Sequence, residues 1–171
     1  MRSIVIVCSY HHQNTEKVAR AIAQALDAEV IAPQQVRADG LKGYDLIGFG
    51  SGIYDSRPHR DLLDLVDGLP PVSGGNAFIF STNGSPGLVQ TSVERDRRTG
   101  EELEPYSTRV HIPLRGSLLS KGYSIIGEFS CPGLNTNSFL RLFGGINKGR
   151  PSAEDLRRAE AFARGLKEKL R

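Results

Sequence analysis

The sequence predicts an α/β fold, a doubly wound parallel sheet of five strands with helices on both faces, and three observations carry that expectation. Five short apolar runs rich in β-branched residues recur along the chain, segments with helical spacing separate them, and the C-terminal segment is an amphipathic helix with a marked start. Strands that alternate with helices need crossover connections, and these bury a parallel sheet on both sides.

The first run, Ser3 to Cys8, leads through a polar stretch into a helix expected to begin near Thr15, where Val18, Ile22 and Leu26 recur every four residues. Ala28 to Ile31, Leu46 to Gly50, Ala77 to Ser81 and Tyr123 to Phe129 read as the remaining strands. Leu62, Leu63 and Val66 mark a helix between the third and fourth strands, and another is expected near Ser107 to Lys121. In the last helix Leu156, Ala159, Ala163, Leu166 and Leu170 share one face. Pro151 ends what precedes it, and Ser152 with Asp155 three positions on forms a variant of the capping box.

Joints such as Gly68 to Gly75 are too short to be linkers, so residues 1–171 read as one domain. Leu88 to Tyr106 is polar and charged with weak periodicity, and reads as an insertion or long loop leaving the carboxyl edge of the sheet. With 39% hydrophobic and 24% charged residues the composition is globular. The net charge is +3, and the arginines between Glu94 and Glu102 are interleaved with acids, so nucleic acid is not an expected partner. The apolar run Ile4 to Cys8 is too short to span a bilayer and no cleavage site follows it. No membrane insertion is expected. Two distant cysteines make no disulfide framework, and the expected location is cytoplasmic.

Ligands of an open α/β sheet bind beyond the carboxyl ends of its strands. After the first strand stand Ser9, Tyr10, His11, His12, Gln13, Asn14 and Thr15, polar residues running straight into a helix. The free N–H groups of a first helical turn, the helix dipole and the hydroxyls of Ser9 and Thr15 suit a phosphate dianion. The simpler role is a helix cap, with Asn14 or Thr15 satisfying the helix start. No G-x-G-x-x-G follows the first strand and no G-x-x-x-x-G-K-[ST] occurs, which disfavours dinucleotides and nucleoside triphosphates.

Here the chain resembles the flavodoxin family, whose first loop has the pattern T-x-T-G-x-T. Thr15 keeps its last hydroxyl, Asn14 is a common variant, and Gln13 stands where the family usually has glycine. Gly50-Ser51-Gly52-Ile53-Tyr54 matches the loop that flanks the isoalloxazine ring, and Ser81-Thr82-Asn83-Gly84-Ser85 the third flavin loop. Gly127 to Gly133 and Gly144 to Pro151 are similar to the fifth strand and last connection of a prokaryotic subfamily. The resemblance implies strand order 2-1-3-4-5 and non-covalent FMN, held by residues 9–15, by Ser51, Gly52, Ile53 and Tyr54, and by Ser81, Thr82, Asn83 and Gly84. Tyr54 is the expected ring-stacking residue, with Ile53 beside it, and Gly52 the flexible peptide near flavin N5. It implies an electron carrier or a small flavin-dependent oxidoreductase, working with a redox partner protein or a small-molecule acceptor. A homodimer is left open.

His11 and His12 are expected to line the phosphate and ring. No metal is expected, because no Asp, Glu or Cys beside them completes a ligand set. Arg57 and His59 are secondary candidates for contact with a substrate or partner. Cys8 and Cys131 read as buried and inert, with two strands between them. A receiver-type signalling domain needs acids after the first strand and an aspartate at the end of the third, where Cys8, Ser9 and Ser51 stand instead. A non-catalytic interaction module that has lost its cofactor is the other alternative, raised by Gln13.

Overall fold

The computed structural model describes residues 1–10, 12–37, 39–84, 105–136 and 144–171. Most of the Leu88 to Tyr106 insertion, together with His11 and Ser85, therefore lies outside the described residues. The elements are β1 (Ser3–Cys8), α1 (Asn14–Leu26), β2 (Glu29–Ile31), a 3₁₀ turn at Pro33–Gln35, β3 (Leu46–Tyr54), β4 (Arg57–Pro58), α2 (Arg60–Gly68), β5 (Gly75–Asn83), α3 (Tyr106–Arg109), α4 (Ile112–Ser120), β6 (Tyr123–Pro132) and α5 (Ala153–Lys169).

The sheet runs β2-β1-β3-β5-β6, all parallel, with β4 paired antiparallel to β3. Leaving out that two-residue strand, this is the expected 2-1-3-4-5 order. The side-chain alternation of β1 divides the core. Val5 and Val7 pack with Phe78, Phe80 and the buried faces of α1 and α5, while Ile4, Ile6 and Cys8 pack with Phe49, Ile79, α2 and α4. Helices thus cover both faces. Among the described residues no helix is long and apolar enough to cross a membrane.

Three local expectations need correction. Strands β3 and β5 run on to Tyr54 and Asn83, because their last residues still pair with neighbouring strands, Gly52 with Thr82 and Asn83 with Pro132. The helix expected over 107–121 is two short helices. Pro113 has no N–H to donate and its ring crowds the carbonyl four residues back, so the turn breaks before it and His111 stands at the break. Beyond β3 the chain folds into a two-residue hairpin, with Ile53 opposite Pro58 and Tyr54 opposite Arg57.

That hairpin places Asp55 and Ser56 at φ of 48° and 62°. Positive φ at both positions defines a type I′ turn, which favours Asp-Gly. Ser56→Gly is therefore expected to stabilise the protein by about 0.5–1 kcal/mol, relief of left-handed strain outweighing the added chain entropy. A denaturant melt checks this, and an unchanged or lower midpoint contradicts it.

The start of α5 is as read from the sequence. Ser152 Oγ accepts from the Asp155 N–H, and Asp155 accepts in return from the Ser152 N–H at 2.7 Å. The Asp155 carboxylate is buried against the Arg150 guanidinium at 2.7 and 2.8 Å. Burial alone would raise its pKa, but hydrogen bonds from Arg150 and Ser152 outweigh this and hold it below the usual carboxylate range.

Candidate functional site

A cavity of about 390 Å³ opens at the carboxyl ends of β3 and β5, the loop after β6 and the first turn of α1. The strand order reverses between β1 and β3, and the crevice at such a switch point is the expected ligand position in these folds.

The first wall is built on strained backbone. His12 and Gln13 both take left-handed conformations, at φ of 57° and 52°. Gln13 thus adopts the conformation that glycine would adopt more cheaply. Helix α1 begins at Asn14, and no side chain of Gln13 caps it. Asn14 and Thr15 are therefore not its N-cap; they are its first two residues, buried, with their side chains employed elsewhere. Asn14 Nδ2 donates to the Leu134 carbonyl at 2.9 Å, and Thr15 Oγ1 lies 2.7 Å from Thr82 Oγ1. His12 Nε2 lies 2.7 Å from Thr136 Oγ1. These bonds fasten the first turn of α1 to β5 and to the loop after β6. The Glu16 N–H donates to Ser9 Oγ at 3.3 Å, so one of the four free donors of the helix start is taken, and Asn14 and Thr15 of the same turn line the cavity. Asn14 Oδ1 is buried without a partner among the described residues.

The second wall is the end of β3 with its hairpin, Gly52 to Ser56. The Tyr54 ring folds back over Gly52, where a Cβ would stand 2.9 Å from its hydroxyl, and meets the His59 ring edge-on at 5.4 Å. Gly52 here makes room for an aromatic ring. The third wall is Thr82, Asn83 and Gly84, laced to the loop after β6 by the Gly133 N–H donating to the Asn83 carbonyl at 2.9 Å and Asn135 Nδ2 donating to the Gly84 carbonyl at 3.2 Å.

Among the residues singled out in the sequence, His12, Asn14, Thr15, Gly52, Ile53, Tyr54, Thr82, Asn83 and Gly84 meet at this cavity. Ser9 and Tyr10 instead line a recess of about 320 Å³ on the other side of the first loop. Gln13 contributes backbone, as the N-cap. Ser51 Oγ donates to its neighbour's carbonyl and accepts from the His59 N–H at 2.8 Å. Ser81 is buried 2.8 Å from His111 Nε2. Sequence reasoning missed Asp55, Ser56, Tyr106 and the whole of Gly133 to Thr136. The last was legible as a Gly-Leu-Asn-Thr run directly after the fifth strand.

No lysine or arginine lines the cavity among the described residues, and Asp55 is the carboxylate there. An anion would thus be met by amide dipoles and a helix terminus, without a full positive charge. Burial and the nearby Asp61 carboxylate push the Cys8 thiol up to about 11, and burial pushes Cys131 up to about 12. Both are free thiols on opposite faces of the sheet.

No protein-family model matches the chain. It is 37% identical over 166 residues to uncharacterized protein MJ0298 of Methanocaldococcus jannaschii, covering 97% of this chain and 98% of that one. Among solved structures it is similar to oxidised Flavodoxin 2 from Bacillus cereus, at a TM-score of 0.65 and 18% identity with 99% of each chain covered. A flavodoxin from the domain Archaea matches at 0.59 and 17% identity, again over 99% of each chain. The rubredoxin oxygen:oxidoreductase of Desulfovibrio gigas matches at 0.59 and 16% identity, with 99% of this chain aligned to 37% of that one.

Proposed function

The chain belongs to one protein family with MJ0298 and has the flavodoxin-like fold, and on that premise we propose that its cavity binds FMN non-covalently for electron transfer. The observation that carries the reading is a helix N-terminus whose N-cap residue Gln13 makes no side-chain cap, with the first-turn residues Asn14 and Thr15 lining a cavity of about 390 Å³, a size ordinary for small-molecule sites. The buried Asn14 Oδ1 adds an acceptor suited to a hydroxyl donor.

In this reading the amides of Asn14 and Thr15, His12 and the Thr15 hydroxyl, which can donate to an anion while accepting from Thr82, hold the phosphate. Ile53, Tyr54, Leu134 and Tyr106 supply the apolar and aromatic surface for the ring, and the backbone at Asn83 and Gly84 the polar groups for its edge. The flavin, when bound, supplies the redox chemistry. The protein's part is to orient it, restrict water around it and leave an approach for a redox partner protein or a small-molecule acceptor. The same arrangement serves a carrier or a small oxidoreductase.

The test is a calorimetric comparison of FMN with riboflavin. FMN is expected to bind with one-to-one stoichiometry and far more tightly. Thr15→Val is expected to weaken FMN by about 1–3 kcal/mol, the usual size of a hydrogen bond to a charged group, while changing riboflavin affinity little. Equal affinity for the two ligands would remove the phosphate assignment. Equal losses for both in Thr15→Val would make Thr15 a structural link to Thr82 only.

A further inference from the structure

We propose that Cys8, His59 and Asp61 form a Zn²⁺ site beside the flavin-type cavity. Among the described residues these three bring one sulfur, one imidazole nitrogen and one carboxylate oxygen within 4.8 Å of one another. They come from separate places in the sequence. Cys8 is the last residue of β1, His59 is the N-cap of α2 and Asp61 lies in that helix's first turn, which sits against the end of the strand.

Two of the donors already face each other, and a cation would displace the cap bond that the Asp61 N–H donates to His59 Nδ1 at 3.2 Å. His59 Nδ1 and Asp61 Oδ1 lie 3.5 Å apart. Tetrahedral zinc, with bonds of about 2.0–2.3 Å, separates its ligand atoms by roughly 3.3–3.6 Å. Two donors thus stand at working distance, and the sulfur lies at most about 1.5 Å beyond such a separation from either. Asp61 Oδ2 is occupied, accepting from the Tyr10 hydroxyl and from Gln34 Nε2 at 2.8 Å, so Oδ1 is the oxygen turned to the imidazole. The His59 ring is flanked by Tyr10 at 4.6 Å and Tyr54 at 5.4 Å. Such partners fix the orientation of ligating side chains in metal sites.

The donor chemistry selects the ion. One thiolate and one carboxylate neutralise a divalent cation, and a thiolate–imidazole–carboxylate set favours Zn²⁺ over the oxygen-seeking Mg²⁺ and Ca²⁺. Binding exchanges the thiol proton, released to solvent, for the Zn–S bond. Three protein ligands leave a fourth position open to water or an exogenous ligand. The inference does not depend on flavin binding, because none of the three ligands lines the larger cavity.

The full-length protein, dialysed against chelator, is titrated with Zn²⁺ by calorimetry and with Co²⁺ by absorption, read as the difference from the same metal-free sample. One equivalent is expected, with the ligand-field bands of tetrahedral Co²⁺ and a thiolate-to-cobalt transition at shorter wavelength that Cys8→Ser abolishes. Asp61→Asn and His59→Ala are each expected to weaken Zn²⁺ at least tenfold, and Zn²⁺ to raise the melting temperature of the wild type but not of Asp61→Asn. Asp64→Asn, an exposed acid on the same helix paired with Arg60, is expected to bind as the wild type does. Both ligand variants change partly exposed side chains, so melts without metal establish that they fold. Wild-type affinity in either, a Co²⁺ spectrum without the thiolate transition, or no saturable binding overturns the site.

Discussion

Glu128→Gln is expected to lower the free energy of unfolding by about 3 kcal/mol, the cost of breaking a largely buried ion pair from one side. Glu128 is the centre of a network that joins β6 to α4 and β5. Arg115 holds its carboxylate at 2.5 and 3.0 Å, and His111 Nδ1 lies 2.8 Å from it. The other nitrogen of the fully buried His111 lies 2.8 Å from Ser81 Oγ, which donates to Ser130 Oγ at 3.0 Å. The amide keeps the volume but leaves a guanidinium beside a neutral group. Burial alone would raise the Glu128 pKa, yet the hydrogen bonds and charges of His111 and Arg115 bring it below its ordinary value. Because the folded pKa is depressed, the stabilisation is complete above the unfolded value of about 4.3 and is lost as pH falls through the folded one. The difference between wild type and Glu128→Gln should therefore be largest near neutrality and vanish in acid. Denaturant melts at several pH values read this out, and a difference independent of pH would show that packing, not charge, was lost.

Gly50→Ala is expected to destabilise the protein by about 3 kcal/mol, at the upper end of overpacking in a closed core. Gly48 and Gly50 face Phe78 and Phe80 directly across the β3–β5 pairing, and both rings are fully buried. A Cβ on Gly50 would lie 2.5 Å from Phe80 Cε1 and nearer still to the ring tip. The ring has no free space to yield, since β3 is central and α1 and α5 close that face. The double variant Gly50→Ala, Phe80→Leu is expected to lose less than the sum of its parts, because the shorter side chain removes the clash. Additive losses, or a wild-type melt for Gly50→Ala, would contradict the packing argument.

The parts of the fold set by local chemistry were legible before any coordinates. Strand β1, the buried stripe of α1 and the Ser152–Asp155 start of α5 need only periodicity and capping. What escaped depends on pairing. Ser51 to Tyr54 and Thr82 to Asn83 read as loops, yet they continue their strands, where successive side chains point to opposite faces. Alternation sends Ser81 to His111 while Thr82 reaches Thr15, and it sends Ser51 to the His59 amide while Gly52 lines the cavity. Residue type told which stretches approach the cavity, and strand phase decided which members of each stretch reach it. The Cys8–His59–Asp61 group was invisible for a different reason, since about fifty residues separate its first member from the others.

The two strands that are outermost among the described residues bear on how this chain meets copies of itself during folding. An unpaired strand edge templates further strands unless it is short, kinked or covered. Strand β2 has three residues, too few to recruit a neighbour firmly. Strand β6 is long, but its pairing with β5 slips between Ala77 and Phe78, leaving Ile126 as an extra residue, and Lys169 Nζ donates to the Ile126 carbonyl at 2.9 Å. An incoming strand would find its ladder interrupted and that acceptor occupied. Removing Lys169 would expose the interruption, and the propensity of partly folded chains to coalesce edge to edge would rise with it.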